Sequence, residues 1–388
     1  MSLQINVDKK SDTGQIRDTI DGKDTEFTMK MLKNLILCTM FLGIGILPSP
    51  ADSGELGADD GARVQAVKLL DTSGMASGLH RLKFDAGSRN TGEAIWVPIL
   101  VAKGTAPGPR LLLTSAVHGD ELNGISVIHK LMQSLDLTML RGTVIAVPGV
   151  NQPGLNANNR HFVGSDHGGN MADLNRLFPG RLDYGSTAER YVGRLWHQIF
   201  KNNADFAVDL HTQTRGSDYP LFVFADFRNP VSRQMAFDLS PDLIKNDSGQ
   251  GGTLETTLMQ AGIPSVTLEV GGPKRWQPDL VSRSVSGLLK VMRGLDMLPD
   301  MPLDEEGSGV ADPFVGATTV NVYTDVGGFA YVHVALMERV TKGQKIATMV
   351  DAYGGELAHY YSPRDGVILS VATDPLREPG AMLVRILH

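Results

Sequence analysis

Leu111-Leu112-Leu113-Thr114-Ser115-Ala116-Val117-His118-Gly119-Asp120-Glu121-Leu122-Asn123-Gly124-Ile125-Ser126-Val127-Ile128-His129-Lys130-Leu131-Met132 changes hydrophobic period partway along its length. Its first seven residues form an apolar run of strand type. From Glu121 onward the apolar positions fall at 122, 125, 128, 131 and 132, the spacing of a helix buried along one face. The same alternation continues through the chain. It predicts strands at 111–117, 142–148, 205–211, 220–225 and 264–270, and helices at 121–134, 186–200, 253–261 and 278–296. Strands alternating with helices imply an α/β fold in which helices cover a mixed sheet on both faces. Three alternating stretches before it, 64–69, 79–85 and 94–101, predict an antiparallel edge or hairpin leading into that sheet.

Polar residues collect where the predicted strands end. His118 and Glu121 lie three apart at the junction of strand and helix, so they share one side. The run Asp205-Phe206-Ala207-Val208-Asp209-Leu210-His211 brings a second histidine to a strand end. Ligands of open α/β sheets bind at such ends. Two histidines and one glutamate form a known catalytic zinc set, which leaves a fourth position for water. Each residue also has a plain alternative: His118 bonded to backbone, Glu121 as a first-turn acid favoured by the helix dipole, His211 as a satisfied strand-end side chain. Asp209 shares a side with His211 and would either orient it or form a salt bridge, and Asp120 is equally open.

Further segments carry groups that amide hydrolysis needs. They are Asn151-Gln152-Pro153-Gly154 continued to Arg160, Asp173-Leu174-Asn175-Arg176-Leu177-Phe178-Pro179-Gly180, and Ser265-Val266-Thr267-Leu268-Glu269-Val270-Gly271-Gly272. The order of His118-Gly119-Asp120-Glu121, the segment from Asp173 to Gly180, Asp209-Leu210-His211 and Leu268-Glu269 resembles the succinylglutamate desuccinylase/aspartoacylase family, a branch of the zinc carboxypeptidases. The resemblance runs through its motifs from about residue 110 to 291. It implies a zinc carboxypeptidase-like fold and one Zn2+ per chain, held by His118, Glu121 and His211. It further implies Glu269 as general base, Arg160 as the cation that stabilises the oxyanion, and Asn175 and Arg176 as the grip on a substrate carboxylate.

These roles suit the residue types. A carboxylate at the mouth of an apolar strand has its pKa raised toward the range useful for proton relay. A guanidinium matches two carboxylate oxygens at once. Structural readings stand beside them: Glu269 as a buried carboxylate paired with a basic residue, Arg176 as a loop tie, and Arg160 as a solvated side chain. Arg215 and the segment 219–228 either line an acyl pocket or form a surface loop, and Asp226 and Arg228 can pair with each other.

The chain has 388 residues, 42% apolar and 20% charged, which describes an ordinary globular protein large enough for two domains. A formal charge of −7 without a basic run speaks against nucleic acid or an anionic membrane as partner. Small molecules are the expected partners, and a homo-oligomer is left open.

At the N-terminus, Lys30-Met31-Leu32-Lys33-Asn34 precedes an apolar run over 35–47, too short to span a bilayer comfortably. With Ser49-Pro50-Ala51 behind it, the segment reads as a secretory signal peptide cleaved after Ala51, giving a periplasmic or secreted protein. A signal anchor is the rival reading. The polar stretch 1–28 ahead of it suggests translation from Met29 or Met31. Cys38, the single cysteine, would leave with the leader, and Leu37 before it argues against a lipoprotein site.

The expected division is thus 1–51 for tail and leader, 52–308 for the catalytic domain and 309–388 for a C-terminal β domain. A stretch rich in Pro, Gly and acid over 298–309 marks the last boundary. Beyond it strands are expected at 318–323, 328–335, 344–350, 356–362, 366–372 and 381–387. Val340-Thr341-Lys342-Gly343-Gln344-Lys345-Ile346 and Ser362-Pro363-Arg364-Asp365-Gly366-Val367-Ile368 resemble the barrel-sandwich hybrid of biotinyl and lipoyl carriers. Asp351-Ala352-Tyr353-Gly354-Gly355 stands at the hairpin tip, without the carrier lysine. The expectation is a β module without a swinging arm, packed beside or over the active-site mouth.

Taken together, the sequence predicts a zinc hydrolase that removes the acyl group from an N-acyl amino acid. An exported carboxypeptidase acting on peptide or cell-wall-fragment C-termini is the close alternative, favoured by an open groove rather than a lidded pocket. A non-catalytic zinc-containing binding protein is the alternative of another class. Loss of the base or of an oxyanion arginine would mark it, and both are present.

Overall fold

The computed structural model describes residues 64–164, 171–300 and 312–388. The expected leader, its cleavage site, Cys38, the alternative start codons and most of the 298–309 boundary lie outside them. The described residues fall within one compact unit. Among them no helix is long and apolar enough to cross a membrane.

A ten-stranded mixed sheet carries the site. Its order is Gln65–Val67, Gly78–Ser88, Ala94–Lys103, Arg141–Pro148, Ala106–Ser115, Phe206–His211, Ser265–Val270, Leu221–Ala225, Leu243–Asn246 and Phe314–Gly316. The four strands from Arg141–Pro148 to Ser265–Val270 run parallel. The expected antiparallel edge is there, with Gly78–Ser88 paired to Ala94–Lys103. The short Gln65–Val67, by contrast, runs parallel to its neighbour.

Alternation along each central strand feeds two separate cores. Leu112, Ile145, Val147 and Ala207 pack against Thr187–Leu195, the π-turn Trp196–Phe200 and Leu254–Gln260. Their neighbours Leu111, Leu113, Val144, Ala146, Val208 and Leu210 pack against Asn123–Ser134, Pro230–Asp238 and Pro278–Gly294. Burial on both faces is why these strands read as continuous apolar runs. Leu243–Asn246, Pro230–Asp238 and Phe314–Gly316 had no clear periodicity in the sequence; each is short, and its place is set by pairing or packing on the sheet.

The C-terminal residues form two antiparallel sheets. One contains Thr319–Tyr323, Met382–Leu387, Gly366–Ala372 and Arg339–Val340; the other contains Glu356–Tyr361, Lys345–Val350, Gly328–Val332 and Leu376–Arg377. They enclose a small core that includes Ile346, Met349, Ile368, Val384 and Ile386. The sandwich does not close into a barrel. Instead, Gly366–Ala372 takes Ser217–Asp218 from the catalytic part as an additional partner. A further apolar cluster of Tyr219, Phe222, Leu243, Val367, Leu369 and Leu387 joins this module to the large sheet.

Candidate active site

The strand order turns at Ala106–Ser115, with Arg141–Pro148 on one side and Phe206–His211 on the other. Such a switch point opens a crevice at the carboxyl ends of the strands. His118 follows the first strand and His211 ends the second. Register sets Glu269 beside His211, and Thr114 and Thr267 beside Asp209. Polar residues from three neighbouring strands therefore share one face at the strand ends.

His118 and Glu121 lie together in the turn before the helix, which begins at Asn123 rather than Glu121. The Glu121 N–H donates to the His118 carbonyl at 3.2 Å and closes that turn. Asn123 starts the helix, and its amide donates to the Val270 carbonyl at 2.8 Å, tying the turn to the neighbouring strand. Gly119 is obligatory, because a Cβ there would lie 2.2 Å from the Gly154 carbonyl carbon. Its N–H donates to the Arg160 carbonyl at 3.0 Å, and the Asn151 amide bridges the carbonyls of Val117 and Arg160. The segment carrying Arg160 is thus laced to the segment carrying His118.

His118, Glu121 and His211 are buried, and one donor atom from each lies within 4.8 Å of the others. His211 places Nδ1 2.8 Å from Glu121 Oε2, while its Nε2 lies 2.8 Å from Asp209 Oδ2. Asp209 is itself fixed by the Thr114 hydroxyl, which donates to it at 2.7 Å. His118 Nε2 lies 3.1 Å from Asp173 Oδ1. His118 Nδ1 is 2.9 Å from Glu121 Oε1 without hydrogen-bond alignment, and this buried nitrogen has no other partner.

These residues fit a divalent cation. In each imidazole one nitrogen is held by a carboxylate, and the other faces Glu121, the pattern in which outer carboxylates orient metal-bound histidines. Burial opposes charge on His211, yet Asp209 and Glu121 hold its pKa well above the usual histidine value. Burial likewise opposes charge on Glu121, and the two histidines nonetheless hold it well below the usual carboxylate range. Surroundings that favour positive charge on the imidazole facing Glu121 are ones in which a cation can take the place of a proton.

Glu269 is buried, and its Oε2 has no partner. Burial pushes its carboxyl up to about 8 while His211, Arg160 and Arg385 pull against the rise and Glu121 adds to it. Arg160 reaches in from the side and donates to Glu121 Oε1 at 2.5 Å. A cavity of about 290 Å³ brings together His118, Glu121, Arg160, Asn175, Arg176, His211 and Glu269.

Arg176 is exposed and donates to the Asn175 carbonyl at 2.6 Å. The Asn175 side chain also has a structural duty, accepting from the Leu254 N–H at 2.8 Å. Arg215 is exposed and does not line the cavity. Asp226 and Arg228 do pair, at 2.6 Å. Asp120 is buried with Oδ1 unpartnered, and burial first and then Glu121 push its carboxyl up.

Tyr219 and Phe224, from the segment expected either to line an acyl pocket or to form a surface loop, do line this cavity, whereas Asp247, Glu255 and Arg385 escape the sequence reading. Arg385 comes from the C-terminal strand Met382–Leu387, donating to the Tyr219 hydroxyl and, at 2.7 Å, to Asn321 Oδ1. The polar residue within Leu383-Val384-Arg385-Ile386 was the available signal, but nothing in the sequence says which surface that strand faces. Asp173, quoted in a motif without a role, turns out to hold His118 and to accept from the Asn175 N–H at 2.9 Å.

Comparison with known proteins agrees with this geometry. Residues 107–295 match the succinylglutamate desuccinylase/aspartoacylase catalytic domain. The N-alpha-acetyl-L-2,4-diaminobutyric acid deacetylase of Halomonas elongata is 27% identical over 323 residues, covering 79% of this chain and 89% of the relative. The succinylglutamate desuccinylase of Pseudomonas paraeruginosa is 28% identical over 206 residues, covering 50% of this chain and 58% of the relative. In fold, the chain is similar to a succinylglutamate desuccinylase/aspartoacylase from Rhodobacter sphaeroides, with a TM-score of 0.70 at 22% identity over 83% of this chain and 99% of that one. It is also similar to the ectoine utilization protein EutE (DoeB) from Ruegeria pomeroyi, with a TM-score of 0.69 at 23% identity over 80% and 96%. Residues 107–295 thus carry the succinylglutamate desuccinylase/aspartoacylase catalytic domain, and the curated relatives named here are deacylating hydrolases.

Proposed function

We propose that this protein is a zinc-dependent deacylase that hydrolyses the amide bond of an N-acyl amino acid. The observation that carries the reading is the meeting, in one cavity, of a buried His118–Glu121–His211 donor set with the unpartnered carboxylate of Glu269. Zinc held by those three residues supplies Lewis-acid chemistry, polarising a carbonyl and lowering the pKa of water to about 7.

The remaining work falls to the chain's own side chains. Glu269 takes a proton from the attacking water and delivers it to the leaving amine nitrogen, and a carboxyl poised near working pH can do both. Arg160 donates to the carbonyl oxygen as it gains charge, a contribution of about 3 kcal/mol by comparison with a lost oxyanion donor. Arg176 and Asn175 hold the substrate carboxylate at the mouth, and Arg385 adds a cation from the C-terminal module. The small cavity, with a residue of that module in its wall, favours a compact N-acyl amino acid over a peptide chain end.

Metal analysis and release of free amine from a panel of N-acyl amino acids and short peptides test this reading. Wild type is expected to hold about one zinc per chain and to release amine. Glu269→Gln should keep the metal and lose 10²-fold or more in kcat, within the range of general-base losses. Equal turnover by the variant removes Glu269 from the chemistry.

A further inference from the structure

Among the described residues, Glu255 is the one acid lining the cavity, outside the site already described, that no cation neutralises. It is 6% exposed, and its side chain makes no hydrogen bond or ion pair with any described residue. Its acidic neighbours are each engaged. Asp247 pairs with Lys245 and accepts from the Gly249 N–H at 2.9 Å, Asp226 pairs with Arg228, and Asp209 is held by Thr114 and His211. None of the three arginines of the cavity pairs with Glu255: Arg160 donates to Glu121, Arg176 to the Asn175 carbonyl, and Arg385 to Asn321 and Tyr219.

The placement of Glu255 is built rather than incidental. It lies in the first turn of Leu254–Gln260, whose N-cap is Thr253. The Leu254 N–H donates to Asn175, so the segment that faces a substrate carboxylate also fixes the helix carrying Glu255. Burial, and then Asp247, Asp209 and Asp226, push its carboxyl up to about 8, with no cation among the influences on it. A buried carboxylate without a partner keeps its charge only where a cation meets it, and otherwise holds a proton.

We propose that Glu255 is an ammonium subsite, so that the preferred substrates are N-acyl amino acids whose side chain carries a second, protonated amine. The proposal rests on the deacylase reading and adds the class of amino acid it releases. The amine freed by hydrolysis is left beside Glu269, so a second carboxylate in the same cavity calls for a second cation. Asp247, on the same cavity wall, adds negative potential while keeping its own lysine.

Two measurements on the full chain test it. Binding of 2,4-diaminobutyrate and ornithine is compared by titration calorimetry with that of their uncharged isosteres norvaline and norleucine. Turnover is compared for the Nα-acetyl derivatives of the same four. Wild type should prefer at least one diamino member over its isostere by tenfold or more in both. That ratio should collapse toward one in Glu255→Gln and be partly kept in Glu255→Asp.

Because the ratio is internal to each protein, partial misfolding does not mimic the result. No preference in wild type, no binding of any diamino acid, or a preference undiminished in Glu255→Gln overturns the subsite. Amine release without preference overturns the subsite and leaves the deacylase reading standing. Preferential binding without amine release overturns the deacylase reading and keeps the subsite.

Discussion

At the scale of single residues, this site is defined by carboxylates held in unequal surroundings. Glu121 is buried between two imidazoles and kept ionised, whereas Glu255 is buried among acids and pushed up to about 8 from an ordinary value of 4.5. That difference has a thermodynamic consequence. Between 4.5 and 8 the folded chain keeps a proton on Glu255 that the unfolded chain releases. The resulting contribution to stability is full below 4.5 and is lost as pH rises through 8, at up to about 1.4 kcal/mol per pH unit. Glu255→Gln removes this dependence. Denaturant unfolding from pH 5 to 8.5 should therefore show the variant gaining on wild type by a few kcal/mol as pH rises. Parallel curves would mean that the carboxyl is compensated in the folded protein.

At the scale of elements, the strand Phe206–His211 sorts its side chains by alternation. Val208 and Leu210 enter the core beneath one face, while Asp209 and His211 share the other. Asp209 can therefore hold Nε2 of the histidine two residues along, leaving Nδ1 directed at Glu121. Asp209→Asn keeps the shape and removes the charge. Zinc affinity, measured by competition with a chromophoric chelator, should fall about 10- to 100-fold, the usual effect of removing such an outer partner. Unchanged affinity would reduce Asp209 to a structural link with Thr114. Much of this was legible in the sequence, because period-two alternation places Asp209 beside His211 without reference to the rest of the fold. The start of the following helix was less legible. His118 and Glu121 meet in a tight turn that depends on Gly119 packing against Gly154, a contact between segments far apart in the chain.

At the scale of the whole molecule, the C-terminal module completes the cavity. Ser217–Asp218 pairs with Gly366–Ala372, and Tyr219 and Phe222 pack with Leu369 and Leu387, which sets Arg385 against Tyr219 at the cavity wall. Arg385→Met retains the aliphatic stem and removes the cation. Steady-state kinetics should show KM rising by about tenfold with a smaller change in kcat, as expected for a group that contacts substrate and transition state alike. An equal fall in kcat with KM unchanged would instead place Arg385 on the reacting carbonyl.

The sequence by itself determined the helix-covered sheet, the order of the motifs and the His118–Glu121–His211 set with Glu269. The sheet, its helices and the delivery of these residues to strand ends rest on local periodicity, which neighbours along the chain are enough to specify, whereas the grouping of the four residues rests on the resemblance of the ordered motifs to a known family. Only the tertiary structure decided that Arg215 stands outside the cavity, that Asp173 supports His118, and that Glu255 and Arg385 face the same cavity as His118, Glu121, His211 and Glu269. Those placements come from pairing between distant segments, Asn175 with Leu254 and Ser217–Asp218 with Gly366–Ala372. The free energy of such contacts depends on which surfaces meet, and a one-dimensional pattern does not carry that information.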